Sequence, residues 1–194
     1  MVNFKNALER KREIVKGSLA DIAKQNNASL AETFIGADAI VLVDTSGSMA
    51  QEDAAGGKSR YDVACSELAK LQETLPGKIA VISFSSHTMF CPNGQPYNFQ
   101  GGTDLGGALR FAKVADVDDM RFVVISDGEP QSASDALKVA RTYKNRIDVI
   151  FVGSEFSSDG KAFLNDLARS SGGVAVSTAA MAGLAQKTQL LLAA

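Results

Sequence analysis

The sequence predicts a doubly wound α/β domain with a mostly parallel sheet, and three observations lead to this fold class. Five short apolar runs rich in β-branched residues are spread along the chain from residue 37 onward, and such runs are typical of strands buried on both faces of a parallel sheet. Between them, apolar residues recur every three or four positions, which is the spacing of an amphipathic helix. The composition is that of a globular chain, with 194 residues, 45% hydrophobic, 22% charged and a net charge of −2. This excludes disordered and low-complexity chains.

The strands are predicted first, because the apolar runs define them. The five runs cover residues 39–43, 79–82, 122–125, 149–152 and 174–176. A sixth run, Thr88 to Cys91, follows the second run after only a few residues. A connection this short allows only a hairpin, so we expect a short antiparallel strand at the edge of the sheet.

The helices are predicted from the amphipathic stripes between these runs. The stripes extend from Tyr61 to Leu75, from Leu105 to Ala112, from Leu137 to Ala140, from Phe163 to Leu167 and from Met181 to Leu192. Pro76-Gly77 ends the first stripe, and Ser134 is the predicted N-cap of the third. Alternating strands and helices of this kind form one doubly wound domain, predicted over residues 37–194.

Residues 1–36 are predicted to form a helical N-terminal extension. Its apolar residues recur at helical spacing: Phe4, Leu8, Val15, Leu19 and Ile22. Gly17-Ser18 is interpreted as a helix end followed by a new N-cap, and Ser29 with Glu32 forms a capping-box pattern. Residues 1–27 carry a net charge of +3, against −5 for the rest of the chain. The apolar stripe predicts docking on the main domain, and a partner-binding arm is the alternative.

Polar residues follow the predicted strands at the edge where ligands bind in doubly wound sheets. Asp44, Ser46 and Ser48 come directly after the first strand, and Asp127 follows the third long strand. Thr103 lies between them in a Gly-Gly-Thr turn that precedes a helix. Carboxylates and hydroxyls with few soft ligands suit hard cations, above all Mg²⁺. The sequence therefore predicts a hard-cation site at this edge of the sheet.

At these residues the sequence resembles the von Willebrand factor type A (vWA) family with its metal-ion-dependent adhesion site. The family pattern is Asp-x-Ser-x-Ser, then a distant Thr and a distant Asp, and all five positions are filled here. The resemblance covers about residues 37–194. It implies that Ser46 and Ser48 bind Mg²⁺ directly, with Mn²⁺ or Ca²⁺ as alternatives. It also implies that Asp44 and Asp127 act directly or through water, and that Thr103 joins when a ligand is engaged.

The resemblance further implies a non-enzymatic binding module, in which the metal grips a carboxylate of a partner protein. Stand-alone intracellular members of the family often work with AAA+ ATPases or in multi-protein assemblies. The polar, glycine-rich segment from Gln51 to Ser59 lies beside the predicted site and is the expected specificity loop.

Two enzyme classes remain as alternatives. A Mg²⁺-dependent aspartyl phosphotransferase or phosphatase of the haloacid dehalogenase type would use Asp44 as its nucleophile. That family places a second Asp two positions later, where this chain has Ser46. Gly57-Lys58-Ser59 is similar to the end of a phosphate-binding P-loop, but Glu52 stands where its first glycine belongs.

The sequence also predicts the compartment and excludes some partners. Its start is unlike a signal peptide, and no apolar run reaches the roughly 18 residues that span a bilayer. Cys65 and Cys91 are too few for a disulfide framework and are expected to be reduced. The charge balance argues against nucleic-acid binding. We therefore expect a cytoplasmic protein bound neither to membranes nor to nucleic acid, with His87 solvated in the hairpin turn.

Overall fold

The computed structural model describes residues 13–53, 57–128, 130–152 and 158–177, which contain a six-stranded sheet. Its strands are β1 (Ala39–Asp44), β2 (Ile79–Phe84), β3 (Thr88–Phe90), β4 (Arg121–Ser126), β5 (Ile147–Phe151) and β6 (Ala175–Ser177). The strand order is β3-β2-β1-β4-β5-β6, with β3 antiparallel to β2 and all other pairs parallel. The predicted fold class, the five main strands and the antiparallel edge strand are confirmed.

Helices cover both faces of this sheet. They are α1 (Leu19–Gln25), α2 (Leu30–Ile35), α3 (Arg60–Thr74), α4 (Leu105–Ala112), α5 (Ala133–Ala140) and α6 (Ser158–Ser170), with 3₁₀ turns at Gly47–Ala50 and Lys113–Ala115. Alternate residues of β1 face opposite layers, as the period of a strand requires. Leu42 packs in the cluster that includes residues of α4, α5 and α6, and Val41 packs in the cluster that includes residues of α3.

The N-terminal helices have the predicted caps. The Ser18 hydroxyl accepts a hydrogen bond from the Asp21 backbone N–H (3.2 Å), and Ser29 with Glu32 forms a complete capping box. Residues 13–15 are not helical, so the predicted helix end at Gly17 follows no helix among the described residues. Instead, the Val15 N–H donates to the carbonyl of Asn93 (2.9 Å). The predicted stripe residues Phe4 and Leu8 lie outside the described residues.

One predicted cap is wrong. The N-cap of α5 is Ser132, whose hydroxyl accepts from the Asp135 N–H (3.3 Å), whereas Ser134 lies inside the helix. An N-cap hydroxyl reaches the backbone N–H two or three residues later, and the chain at Ser132 is extended while the helix has already begun at Ala133. The helix predicted from Met181 to Leu192 lies outside the described residues.

The cysteines and the histidine occupy the predicted surroundings. Neither cysteine is in a disulfide: Cys65 is half-buried and Cys91 is buried. His87 is exposed in the turn between β2 and β3, and its ring lies edge-on to Phe99 with 6.3 Å between the ring centroids. Within the described ranges, no helix combines the length and the apolar character needed to cross a membrane.

The strand order fixes where a site can form. After β1 the chain builds the sheet outward through β2 and β3, and it then returns to β4 on the other side of β1. The carboxyl ends of β1 and β4 therefore flank the crevice at which doubly wound sheets bind their ligands.

Candidate metal centre

Asp44 is the last residue of β1 and is completely buried in this crevice. Its Oδ1 accepts from the backbone N–H of Ser46 (2.8 Å), and its Oδ2 accepts from the hydroxyl of Ser126 at the end of β4 (2.6 Å). Burial and then the nearby carboxylate of Asp127 raise the pKa of Asp44 to about 6, against the effect of these hydrogen bonds. The Asp127 carboxylate thus lies close enough to disfavour the charged form of Asp44.

The two serines of the motif lie on the turn that follows β1. Ser46 is the N-cap residue of the 3₁₀ turn Gly47–Ala50, and its side chain makes no capping hydrogen bond to that turn. Its hydroxyl instead lies 3.1 Å from the hydroxyl of Ser48. Ser46 is 2% exposed and Ser48 is half-buried, so a pair of hydroxyl oxygens is presented beside Asp44.

The loop that carries Thr103 is joined to this turn by backbone hydrogen bonds. The Gly47 N–H donates to the Gly101 carbonyl (3.0 Å), and the Gln100 N–H donates to the Thr45 carbonyl (2.9 Å). The Thr103 carbonyl accepts from the N–H of Gln131 (2.9 Å), which lies in the loop after β4. Thr103 itself is 6% exposed. The structure therefore brings together the three loops that hold the predicted ligands.

Asp127 follows β4 and has one oxygen paired and one unpaired. Its Oδ2 accepts from Nη1 of Arg60 (3.0 Å). Its Oδ1 is buried and has no hydrogen-bond partner among the residues that the structure describes. A buried carboxylate oxygen without a partner costs free energy, and in native proteins such a group is commonly explained by an ion or water that completes it.

The sequence analysis missed two residues that shape the site. Ser126 donates to Asp44 and also accepts from the Gly128 N–H (3.0 Å), so one hydroxyl joins the ends of β1 and β4. Arg60 is the first residue of α3, and its guanidinium contacts Asp53 and Gln51 as well as Asp127. No local sequence pattern indicates either role.

The residues present fit a hard divalent cation. The predicted donors are two carboxylates and three hydroxyls, an oxygen-only set of the kind that Mg²⁺ and Mn²⁺ take and that offers Zn²⁺ no thiolate or imidazole. The charges of Asp44 and Asp127 would balance a divalent ion, and the unpaired Oδ1 of Asp127 would gain a partner. In the part of the chain that the structure describes, no three His, Cys, Asp or Glu residues form a group placed to hold a metal.

No protein-family model matches this chain, and neither does any curated protein sequence. Solved structures do match. An aerotolerance-related membrane protein from Bacteroides fragilis, with multiple mutations to serine, is 18% identical with a TM-score of 0.67, over 81% of this chain and 99% of that one. A von Willebrand factor type A structure from Catenulispora acidiphila is 16% identical with a TM-score of 0.59, over 80% of this chain and 41% of that one.

A third similar structure is the manganese-loaded TRAP protein from Plasmodium vivax. It is 20% identical with a TM-score of 0.50, over 69% of this chain and 62% of that one. At these identities the matches show the fold alone. The fold of this chain is that of the vWA-type domains.

Proposed function

We propose that this chain is a divalent-cation-dependent protein-binding module that grips an acidic side chain of its partner through Mg²⁺. The observation that carries the proposal is the buried, unpartnered Oδ1 of Asp127 at the edge where Asp44 is also buried. Both carboxylates lie where doubly wound sheets bind ligands. A cation held by both would give the unpaired oxygen a partner and would offset the burial and the nearby Asp127 charge that raise the pKa of Asp44.

Each predicted ligand has a role in this proposal. Asp44 and Asp127 supply the negative charge, and Ser46 and Ser48 supply neutral hydroxyl oxygens. Thr103 contributes its hydroxyl when a partner is engaged. When bound, the Mg²⁺ would supply an electrophilic centre for an outside carboxylate, because its remaining protein ligands are neutral hydroxyls.

The fold neighbours support a cation and a protein partner without identifying either for this chain. One of them was solved with manganese. The proposed partner is a protein that offers a carboxylate, such as a AAA+ ATPase or a subunit of a multi-protein assembly in the cytoplasm. The module needs no catalytic proton transfer, and Ser46 stands where a phosphotransferase would need its second Asp.

The first prediction is that Mg²⁺ or Mn²⁺ stabilises the wild-type protein and not Asp44→Ala. An ion that binds only the folded state at a hundred times its Kd stabilises it by about 2.7 kcal/mol. For a chain of this size we expect a rise in melting temperature of about 5–10 °C. Each variant is melted with chelator and with the ion, so that its own metal-free melt is the reference.

Asp135→Asn is the matched control, because Asp135 is a half-exposed carboxylate that pairs with Arg110 and is not one of the predicted ligands. We expect this variant to keep the full shift. Equal melts with and without the ion in the wild-type protein would rule out the metal site. A Mg²⁺-dependent phosphatase activity that is lost in Asp44→Asn would assign the chain to the enzyme class instead.

A further inference from the structure

Arg60 is a buried cation shared by the predicted metal site and the neighbouring loop. It is 5% exposed. Its Nη1 donates to Asp127 Oδ2 (3.0 Å), its Nε donates to Asp53 Oδ1 (2.8 Å) and its Nη2 donates to Gln51 Oε1 (2.8 Å). Nη2 also contacts Asp53 Oδ2 (2.5 Å). One side chain thus bridges Gln51 and Asp53 of the expected specificity loop to a carboxylate of the site.

The position of Arg60 in its helix indicates that its contacts with Asp53 and Asp127, and not the helix itself, stabilise the cation there. Arg60 is the first residue of α3, after the N-cap Ser59. The N-terminal end of a helix is the positive end of its dipole, so a cation there is unfavourable for the helix itself. Burying a guanidinium also costs free energy unless charged partners pair with it. Asp53 and Asp127 provide them, and the hydrogen bonds from Arg60 hold the pKa of Asp53 below its usual range.

The same contacts decide which oxygen of Asp127 is free. Arg60 occupies Oδ2, and Oδ1 remains buried without a partner. Asp127 is therefore held in one orientation by a group that also contacts the loop. If the loop released Arg60, the guanidinium would have Asp127 as its remaining carboxylate partner and would compete more strongly with a cation for it.

We propose that Arg60 is a positioning residue that couples the state of the Gln51–Asp53 loop to the cation affinity of the site through Asp127. The part of this inference that concerns cation affinity rests on the proposed function. The part that concerns the coupling between Asp127 and the loop does not. A partner that contacts this loop changes the cation affinity, and by linkage the cation changes the affinity for that partner equally. Arg60 thus links partner recognition to metal binding.

The first experiment tests the coupling without metal. The backbone N–H of Arg60 has no acceptor within its helix and donates instead to the Gln51 carbonyl (3.1 Å), so its hydrogen exchange reports on the contact between loop and helix. In chelator, we expect Asp127→Asn to accelerate exchange of this amide several-fold relative to wild type. Asp135→Asn, at the separate Arg110 pair, should leave it unchanged. An unchanged Arg60 amide in Asp127→Asn overturns the proposal.

The second experiment measures Mn²⁺ affinity by titration calorimetry in a double-mutant cycle of Asp53→Asn and Arg60→Gln. In Asp53→Asn, Asp127 is the only carboxylate of the described residues left to pair with Arg60. We therefore expect the Mn²⁺ affinity to fall about tenfold, which lies within the roughly 5- to 150-fold range of coupling between sites. In the Arg60→Gln background, Asp53→Asn should change the Mn²⁺ affinity less than about twofold. The effect is smaller because the residue that couples Asp53 to Asp127 is absent, so the two substitutions are non-additive. An equal loss in both backgrounds would mean that Asp53 acts through space and would overturn the role of Arg60.

The two experiments separate this inference from the proposed function. If wild-type protein binds no Mn²⁺ while the Arg60 amide responds to Asp127→Asn, the metal function fails and the coupling of Asp127 to the loop stands. If Mn²⁺ binds and the cycle is additive, the metal function stands and the coupling fails. Melting each variant in chelator provides the stability reference, because a purely structural role would lower stability without the non-additivity in Mn²⁺ affinity.

Discussion

Asp116 and Asp127 are both buried carboxylates, and they differ in how their oxygens are satisfied. Asp116 accepts from the backbone N–H groups of Lys144 (2.7 Å) and Asn145 (3.1 Å), from the Asn145 side chain (3.0 Å) and from Lys113 (3.2 Å). Asp127 keeps one oxygen unpaired. A full set of donors is typical of a structural carboxylate, and the unpaired oxygen of Asp127 is the one that the proposed cation would satisfy.

Asp116→Asn should destabilise the protein in a pH-dependent way. Burial alone would raise the pKa of Asp116, but the hydrogen bonds from Lys144, Asn145 and Lys113 lower it below its usual value. A lowered pKa means that the charged form stabilises the fold above about pH 4, the usual pKa of Asp, and that this contribution is lost as the pH falls through the folded-state pKa. We expect a loss of about 1–3 kcal/mol at pH 7.

Urea unfolding of wild type and Asp116→Asn from pH 7 to pH 3 tests this prediction. The difference in unfolding free energy should be constant down to about pH 4 and shrink below it. Asp118→Asn is the control, since Asp118 is exposed. A difference that grows as the solution becomes more acidic would contradict the assigned direction of the pKa shift.

The sequence predicted the position of the candidate site and missed what surrounds it. Asp44, Ser46 and Ser48 were predictable because they follow one apolar strand within five residues, where ligands of such sheets bind. Arg60 and Ser126 were not predictable, because their partners Asp127 and Asp44 are 67 and 82 residues away in the chain. Local patterns carry no information about contacts at that separation.

Among the elements, the end of β4 is held by a close approach to α6. Gly128 has a φ of +88°, and a Cβ built there would lie 2.4 Å from the carbonyl oxygen of Gly160 in α6. Gly172 has a similar φ of +80°, but its Cβ would meet nothing within 4 Å. The two glycines therefore separate the cost of backbone strain from the cost of steric overlap.

Gly128→Ala should destabilise the protein more than Gly172→Ala. Both substitutions carry the left-handed backbone penalty of about 1–2 kcal/mol, and overlap with Gly160 should add roughly 1–3 kcal/mol at position 128 only. Chemical denaturation of both variants measures the difference. Equal losses of unfolding free energy in the two variants would mean that the backbone at the junction of β4 and α6 moves to accommodate the added methyl group at no measurable cost. In that case the backbone after β4 would not fix Asp127.

The elements themselves were largely predictable, and the exceptions have local causes. Each of the five main strands contains a short apolar run, which is why all five were found. The cap of α5 was wrong because Ser132 and Ser134 both precede the apolar stripe, and only the backbone N–H of Asp135 reaching Ser132 decides between them. Val15 fits a helical stripe but donates to Asn93, so a tertiary contact overrides the local pattern.

On the scale of the whole molecule, the first helix of the N-terminal extension is part of the main core. Leu19 in α1 is 1% exposed and belongs to the same hydrophobic cluster as Leu42 of β1 and Leu109 of α4. Backbone hydrogen bonds from Val15 to Asn93 and from Ala20 to Pro92, each 2.9 Å, join this segment to the chain that follows β3. These contacts support docking over a free partner-binding arm for the described part of the extension.

If α1 is part of the core, Leu19→Ala should destabilise the entire domain. Replacing a buried Leu by Ala costs about 2–5 kcal/mol, because apolar contacts are lost and a cavity remains. Leu30→Ala is the matched control in α2, since Leu30 is 41% exposed, and we expect it to cost less than about 1 kcal/mol. Urea unfolding followed by circular dichroism and by tyrosine fluorescence should give one coincident transition, shifted to lower urea in Leu19→Ala. Two separate transitions, or equal effects of both substitutions, would mean that the extension unfolds independently of the sheet.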